Sequence, residues 1–106
     1  MLTEQRETAR KVLKVKAQLA LEDAPPQQAR TMDVGANGMC ITSPNPVRVG
    51  STGTVSFELY FDGNGSTITV RAKALYCIFS HGEYKIGFQF LNLDLSAMSV
   101  LAKYLR

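Results

Sequence analysis

The sequence predicts a chain dominated by β-structure, an antiparallel barrel of about six short strands closed by one helix. Apolar and polar residues alternate in several short segments, which is typical of half-buried strands. Helical spacing begins only after Asn92. Strands and helices do not alternate along the chain as they do in parallel sheets, so an antiparallel barrel is the expected architecture.

The first strand is predicted over residues 11–21. Lys14, Lys16 and Gln18 lie on one face of this segment. The apolar residues of the opposite face are Leu13, Val15, Ala17, Leu19 and Leu21. Residues 22–28 contain Pro25 and Pro26 and are expected to form a loop, because proline disrupts strand pairing. Residues 1–9 show no clean apolar period, and we expect a flexible N-terminal arm there.

A long hairpin is predicted from residues 54–61 and 67–79. The connecting sequence Asp-Gly-Asn-Gly at residues 62–65 is a strong hairpin signal. The inward face of the returning strand is expected to carry Ile68, Val70, Ala72 and Ala74. Residues 80–83, Ser-His-Gly-Glu, then form a turn into a last strand at residues 84–90.

The C-terminal helix is predicted over about residues 94–105, with Asp94 as its N-cap. Its apolar stripe is read as Leu95, Met98, Leu101, Ala102 and Leu105. We expect this stripe to close one end of the barrel, and a dimer face is the alternative.

The net charge of +3 is concentrated at the N-terminus. Residues 1–16 hold five basic and two acidic side chains, whereas the remaining ninety residues are neutral. A basic arm on a neutral body attracts an anion such as a phosphate, a nucleic acid or an acidic protein. The chain has neither a signal segment nor an apolar run of the ~20 residues that span a bilayer, so we expect a cytoplasmic protein without membrane insertion.

The sequence offers no constellation typical of an enzyme or a metal site. Cys40 and Cys77 lie in apolar runs and are expected to be free, buried thiols. Together with the single His81 they give no metal-ligand spacing. His81 also lacks a nucleophile partner, and no phosphate-cradling glycine loop precedes a helix. We therefore expect no catalytic residues, no metal and no cofactor.

The most informative stretch is residues 31–41, Thr-Met-Asp-Val-Gly-Ala-Asn-Gly-Met-Cys-Ile. Asp33 is followed at two and five residues by Gly35 and Gly38. A fixed carboxylate acceptor therefore stands beside a backbone that can adopt φ > 0 and be approached closely. Turn chemistry alone would also explain these residues. Arginines within the first ten residues favour a ligand-binding role for this stretch over a plain turn.

Arg6 and Arg10 stand four residues apart, just before the first strand. The order Arg-x-x-x-Arg, basic strand, loop and then Asp-x-Gly-x-x-Gly resembles the PilZ domain family. Gly50 before a long hairpin, the Gly-Phe-Gln-Phe sequence at residues 87–90 and the C-terminal helix extend the resemblance over nearly the whole chain. The family pattern usually has Ser where this chain has Gly35.

The resemblance implies a six-stranded antiparallel PilZ-type β-barrel that binds cyclic di-GMP, the bacterial second messenger. By position, the ligand-binding residues would be Arg6, Arg10, Asp33, Gly35 and Gly38. Lys11, Arg30, Arg71 and Tyr76 are additional candidates. The resemblance further implies a receptor in bacterial motility, pilus or biofilm regulation.

The chemistry of these side chains suits such a ligand. A guanidinium can bind guanine O6 and N7 or a phosphate through two donors, and it can stack on a purine. Asp33 can accept from the guanine Watson–Crick edge, and Tyr76 can stack on a base. Lys11, Arg30 and Arg71 could neutralise phosphate.

We expect residues 1–9 to form a mobile arm and residues 10–106 the barrel with its helix. In this hypothesis cyclic di-GMP bridges the arm to the Asp33 turn, and the ordered arm signals to an unidentified downstream protein. Ordering costs about 1–2 kcal/mol per residue, which several charge-assisted hydrogen bonds of roughly 1.5–3 kcal/mol each can offset. The chain is expected to be a monomer or weak homodimer.

Two alternatives remain open at this point. A PilZ-like domain that no longer binds nucleotide could act as a protein-interaction module in pilus assembly or motility. A small basic barrel could instead bind single-stranded RNA, but such proteins expose several stacking aromatics beside a basic groove. Here the basic charge is confined to one arm and most Phe and Tyr fall on expected core positions, so we expect no DNA or RNA partner.

Overall fold

The computed structural model describes residues 10–61 and 63–106 and confirms the predicted barrel. Six antiparallel strands close on themselves in the order β3-β2-β5-β6-β7-β4, because β4 also pairs with β3. One extra strand and one helix complete the fold. The elements are β1 Arg10–Val12, β2 Lys16–Leu21, β3 Gln27–Gly35, β4 Gly38–Ser43, β5 Thr52–Phe61, β6 Asn64–Ser80, β7 Glu83–Asn92 and α1 Leu95–Leu105. The predicted arm, residues 1–9, lies outside the described residues.

The first strand is divided rather than continuous. Both β1 and β2 pair with β3, but their registers differ by one residue. Thr31 of β3 is buried at the break, where its hydroxyl donates to the carbonyl of Leu13 and accepts from the amide of Val15 at 2.9 Å. A single hydroxyl thus satisfies backbone groups that the interrupted pairing leaves free.

The core consists of the inward residues of the alternating strands. Leu19, Val55, Leu59 and Ile86 are fully buried, as the period of two predicts. The hairpin between β5 and β6 is present, and Gly63 occupies the left-handed region at its tip with φ of 79°. The turn from β6 to β7 contains His81 and Gly82, whose φ values are 54° and 84°.

The helix begins as predicted but packs through a different stripe. The Asp94 side chain caps it by accepting from the amide of Ala97 at 2.7 Å. Ala97 and Leu101 are buried, and the half-buried residues beside them are Val100, Tyr104 and Leu105. The predicted stripe is wrong for Leu95, Met98 and Ala102, which are all exposed. The helix carries two overlapping sets of apolar residues at helical spacing, and both sets include Leu101 and Leu105. The set that also contains Ala97 is the one that packs against the barrel.

Candidate functional site

A bulge in β3 places Asp33 on the outer surface of the barrel. Thr31 pairs with Ile41 and Asp33 pairs with Cys40, so Met32 has no partner on β4. Ala29 and Thr31 face inward, and strict alternation would point Asp33 into the core as well. The extra residue reverses the phase, so that Val34 is buried and the Asp33 side chain is 34% exposed.

A second bulge has the same effect on Tyr76 in β6. Ala74 pairs with Phe88 and Tyr76 pairs with Gly87, which leaves Leu75 unpaired. Val70, Ala72 and Ala74 face inward, and without the bulge Tyr76 would follow them. The Tyr76 side chain instead lies on the outer surface with 43% exposure.

The two bulges meet in one row across four strands. Asp33 pairs with Cys40, Cys40 with Gly87 and Gly87 with Tyr76. An added Cβ on Gly87 would lie only 2.1 Å from the Tyr76 ring, so the ring rests directly on the glycine backbone. Its hydroxyl reaches the Cys40 thiol at 3.9 Å. We call the row Asp33, Cys40, Gly87 and Tyr76 the site row.

Arg10 completes one end of the site row. Its Nε donates to Oδ1 of Asp33 at 3.0 Å, and its Nη2 donates to the same oxygen. The Arg10 side chain is 46% exposed, so this ion pair stands at the surface rather than in the core. Within residues 10–61 and 63–106, the side-chain hydrogen bonds to this carboxylate reach Oδ1 alone, and Oδ2 accepts none from these residues.

The glycine turn adjoins Arg10. Gly35 ends β3 and Gly38 begins β4, with Ala36 and Asn37 between them. An added Cβ on Gly38 would lie 2.2 Å from the carbonyl oxygen of Phe88, so this position needs glycine because the backbones approach closely. Neither Gly35 nor Gly38 adopts the positive φ that glycine permits. The described glycines with positive φ are Gly50, Gly63 and Gly82. Arg10, the turn and Leu75 line a depression of about 220 Å³.

The environment of Tyr76 disfavours ionisation of its hydroxyl. Burial raises the pKa of Tyr76 above its ordinary value of 10.0, and the contacting Cys40 thiol and the nearby Asp33 carboxylate raise it further. Arg10 acts in the opposite direction on the same pKa. Arg10, Asp33 and Tyr76 therefore interact electrostatically, although they come from three separate strands.

The structure does not bring every predicted residue to the site row. Arg6 lies outside the described residues. Lys11 places its Nζ 5.2 Å from the centre of the Tyr104 ring, on the side of the helix. Arg71 donates to Glu22 at 3.0 Å on another face of the barrel. Arg30 is exposed and pairs in register with Thr42, one row along from Asp33 on the same outer face.

Sequence reasoning missed Cys40 and Gly87 as parts of the site. Cys40 is a buried free thiol, yet it lies under Tyr76 on the outer side of the sheet rather than in the barrel interior. The sequence marks Gly87 only as part of the Gly-Phe-Gln-Phe segment. The detectable signal was the loss of alternation around residues 32–33 and 75–76.

Other features of the described residues bear on the alternatives. Several aromatic side chains are exposed, namely Tyr60, Tyr76 and Phe79. The sequence pattern therefore overestimates how many Phe and Tyr residues lie in the core. No group of three His, Cys, Asp or Glu side chains in the described ranges could hold a metal ion. None of the helices in that part of the chain is long and apolar enough to cross a membrane.

Comparison with known families gives a match over almost the whole chain. The sequence model of the PilZ domain matches residues 4–106. No curated protein sequence matches the chain significantly.

Several solved structures share the fold. The Bacillus subtilis inhibitor of motility (MotI/DgrA) superposes with a TM-score of 0.85 at 12% identity, over 97% of this chain and 50% of that one. The PilZ domain of Escherichia coli YcgR, solved with c-di-GMP, gives 0.74 at 15% identity, over 96% of this chain and 89% of that one. PlzA of Borreliella burgdorferi in complex with c-di-GMP gives 0.60 at 15% identity, over 100% of this chain and 41% of that one.

These identities establish a shared fold rather than a shared activity. The chain spans half the length of the Bacillus subtilis protein and 41% of PlzA.

Proposed function

This chain belongs to the PilZ domain family, and on that premise we propose that it binds cyclic di-GMP on the outer face of its barrel. The observation that carries the proposal is the site row, in which two bulges turn an acceptor and an aromatic ring to the same surface. Two solved relatives, YcgR and PlzA, hold this ligand. Cyclic di-GMP offers two guanines and two phosphates, so it needs acceptors, stacking surfaces and cations together.

Asp33 is the proposed acceptor for guanine. The Watson–Crick edge of guanine carries adjacent N–H donors, and a carboxylate oxygen can accept from them. Arg10 already orients the carboxylate through Oδ1, so Oδ2 can receive the base without a change of rotamer. A charge-assisted hydrogen bond of this kind is worth roughly 1.5–3 kcal/mol.

Tyr76 is the proposed stacking platform. Its ring lies against Gly87, and its 43% exposure leaves ring surface open to solvent. Stacking on an aromatic side chain contributes about 1–3 kcal/mol per base. The Cys40 contact holds the hydroxyl toward the sheet, so the ring is oriented before the ligand arrives.

Arg10 is the proposed phosphate and guanine contact, and Arg6 is proposed to act beside it. The Arg10 guanidinium has further donors beyond those used by Asp33, and these can bind a phosphate or the O6 and N7 atoms of guanine. Gly35 and Gly38 are proposed to let the ligand approach the turn. In the further candidate set, Lys11 and Arg71 already contact Tyr104 and Glu22, and this favours structural roles for them.

The biological role that we propose is a cytoplasmic receptor or adaptor without catalytic activity. Ligand binding near β1 would order the N-terminal arm and change the surface offered to a downstream protein. The family membership and the likeness to an inhibitor of motility support a role in motility, pilus or biofilm regulation. A monomer or weak homodimer satisfies this role.

Isothermal titration with cyclic di-GMP tests the proposal. The wild type and the variants Arg10→Gln and Arg71→Gln form a matched set, since each substitution removes an arginine paired with a carboxylate on the barrel surface. We expect micromolar or tighter binding by the wild type and by Arg71→Gln. Arg10→Gln is expected to weaken binding at least tenfold, because it removes a charged donor and releases Asp33.

Two outcomes would contradict the proposal. No detectable complex with the wild type would leave the fold but move the function to a nucleotide-independent adaptor. Equal losses for both variants would show that the ligand does not sit at the Arg10–Asp33 pair. GTP serves as the nucleotide control and is expected not to bind.

A further inference from the structure

A second row of polar side chains runs beside the site row on the same outer face. Lys16 pairs with Arg30, Arg30 with Thr42, Thr42 with Lys85 and Lys85 with Ile78. Three residues of this row are cationic: Lys16, Arg30 and Lys85. Thr42 is half-buried and lies between Arg30 and Lys85. We call Lys16, Arg30, Thr42 and Lys85 the basic row.

The cations of the basic row are available to an anion. The ion pairs among the described residues are Arg10–Asp33, Arg48–Asp23 and Arg71–Glu22, so none of these three cations is engaged with a described carboxylate. Lys16, Arg30 and Thr42 line a depression of about 350 Å³. Glu83 also lines it, but Glu83 precedes Lys85 by two residues and lies on the side away from the site row.

The two rows are close enough to hold one ligand. Cys40 and Thr42 of β4 belong to neighbouring rows on one face, which places the rows about 7 Å apart along the strand. Arg30 and Lys85 flank Thr42 on the adjacent strands, each about 5 Å from it across the sheet. Side chains of their length can therefore converge above the threonine hydroxyl.

We propose that Arg30 and Lys85, with the Thr42 hydroxyl and support from Lys16, form a second phosphate-binding subsite for cyclic di-GMP. The inference rests on the proposed function. A guanine stacked on Tyr76 and bonded to Asp33 would leave one phosphate near Arg10 and direct the other toward the basic row. Guanidinium and ammonium donors with a hydroxyl between them match the several acceptor oxygens of a phosphodiester.

Asp33 and Tyr76 are proposed to contact guanine, and neither of them binds phosphate. A second phosphate subsite would explain how the barrel selects a ligand with two phosphates. Arg10 and the proposed contact from Arg6 would serve one phosphate, whereas the basic row supplies the cations for the other. Removal of the basic row is therefore expected to weaken binding without touching the guanine contacts.

The test compares cyclic di-GMP affinity for four proteins by isothermal titration. They are the wild type, Arg30→Gln/Lys85→Gln, Arg10→Gln and a control, Lys103→Gln/Arg106→Gln, which removes the same two charges from the exposed end of α1. We expect the Arg30/Lys85 variant to bind at least about tenfold more weakly. The control is expected to stay within about twofold, because neither Lys103 nor Arg106 belongs to the site row or the basic row and exposed charges are screened.

Further measurements separate a contact from a general effect. Arg30→Lys keeps the charge and is expected to retain most of the affinity. Added salt is expected to weaken the wild type more than the Arg30/Lys85 variant, because the variant has fewer ionic contacts to screen. Thermal unfolding of the Arg30/Lys85 variant should match the wild type, since both side chains point outward.

The outcomes distinguish the two proposals. If Arg10→Gln loses binding while Arg30→Gln/Lys85→Gln binds like the wild type, the second subsite is overturned and the receptor function stands. If the control loses as much affinity as the Arg30/Lys85 variant, the effect is one of net charge and the subsite is also overturned. If the wild type does not bind cyclic di-GMP, both proposals fail together.

Discussion

Two faces of the same barrel differ in how regularly their strands pair. The site face comprises the outer surface of β3, β4, β7 and the second half of β6. The regular face comprises the outer surface of β2 beyond Lys16, of β5 and of the first half of β6. Pairing between β5 and β6 runs without a break from Thr52↔Lys73 to Phe61↔Asn64, and pairing between β2 and β5 is also unbroken. On the site face, β3 and β6 each contain a bulge.

The outward residues of the two faces differ accordingly. On the regular face, Gln18, Ser56 and Thr69 form one row of neutral polar side chains, and the Ser56 and Thr69 hydroxyls bond at 3.1 Å. On the site face, the bulges turn Asp33 and Tyr76 outward at positions that alternation would assign to the core. Departures from the strand period therefore create the unusual chemistry of this surface.

Cavity size does not separate the two faces. A depression of about 340 Å³ lies on the regular face beside Gln18 and Ser56, and it is larger than the depression of about 220 Å³ beside Arg10. What distinguishes the site face is the convergence of an ion pair, an aromatic platform and cations that form no ion pair with a described carboxylate.

The largest expected effect is on folding stability and concerns Gly38, whose backbone lies close to that of Phe88. Gly38→Ala would place a Cβ 2.2 Å from the carbonyl oxygen of Phe88, which is backbone and cannot move aside easily. We expect the free energy of unfolding to fall by about 3 kcal/mol or more. Ala36→Ser in the same turn is exposed and should change it by less than about 0.5 kcal/mol. Urea denaturation measures both, and equal stabilities would contradict the close-packing argument.

The next effect concerns the aromatic platform. Tyr76→Ala is expected to weaken cyclic di-GMP binding by about tenfold or more, because stacking on the ring is lost. Tyr76→Phe keeps the ring and should bind within about threefold of the wild type. Gly87→Ala should resemble Tyr76→Ala in titrations, because its Cβ would displace the ring that rests on it. Full binding by Gly87→Ala would show that the ring position does not matter.

A gain of affinity is expected at the position where the family pattern has serine. Gly35→Ser would restore a hydroxyl at the end of β3, beside Arg10. If that hydroxyl makes one hydrogen bond to the charged ligand, binding should tighten by about tenfold. Titration of this variant beside the wild type measures the gain. No improvement would mean that the turn contributes through its shape.

The smallest effect is expected on the regular face, where Arg71 pairs with Glu22. The Arg71 hydrogen bond holds the pKa of Glu22 below its ordinary value of 4.5, and Thr52 acts in the same direction. A lowered carboxyl pKa contributes stability above the ordinary value, and that contribution is lost as the pH falls through the lowered value. Arg71→Gln should therefore be slightly less stable than the wild type at neutral pH and equal to it in strong acid. A difference that persists unchanged in acid would rule out this ion pair as its source.

Much of the fold could be predicted because its signals are local. The alternation in β2 and β5, the Asp-Gly-Asn-Gly hairpin and the Asp94 cap each depend on residues near one another in the chain. These predictions agree with the structure where it describes the residues. The structure also pairs Arg10 with Asp33, while their shared role in ligand binding stays a prediction.

The site row and the basic row were decided only by the tertiary structure. Whether Asp33 faces the core or the solvent depends on a bulge at Met32, and a bulge is a property of how β3 pairs with β4. The alignment of Asp33 with Tyr76 further requires the registers of β4 with β7 and of β7 with β6. The choice between two apolar stripes on α1 likewise depends on the barrel surface it covers. Strand period and helix period are local properties of the sequence, whereas register is set between segments far apart in the chain. Only the folded barrel could therefore determine which side chains meet.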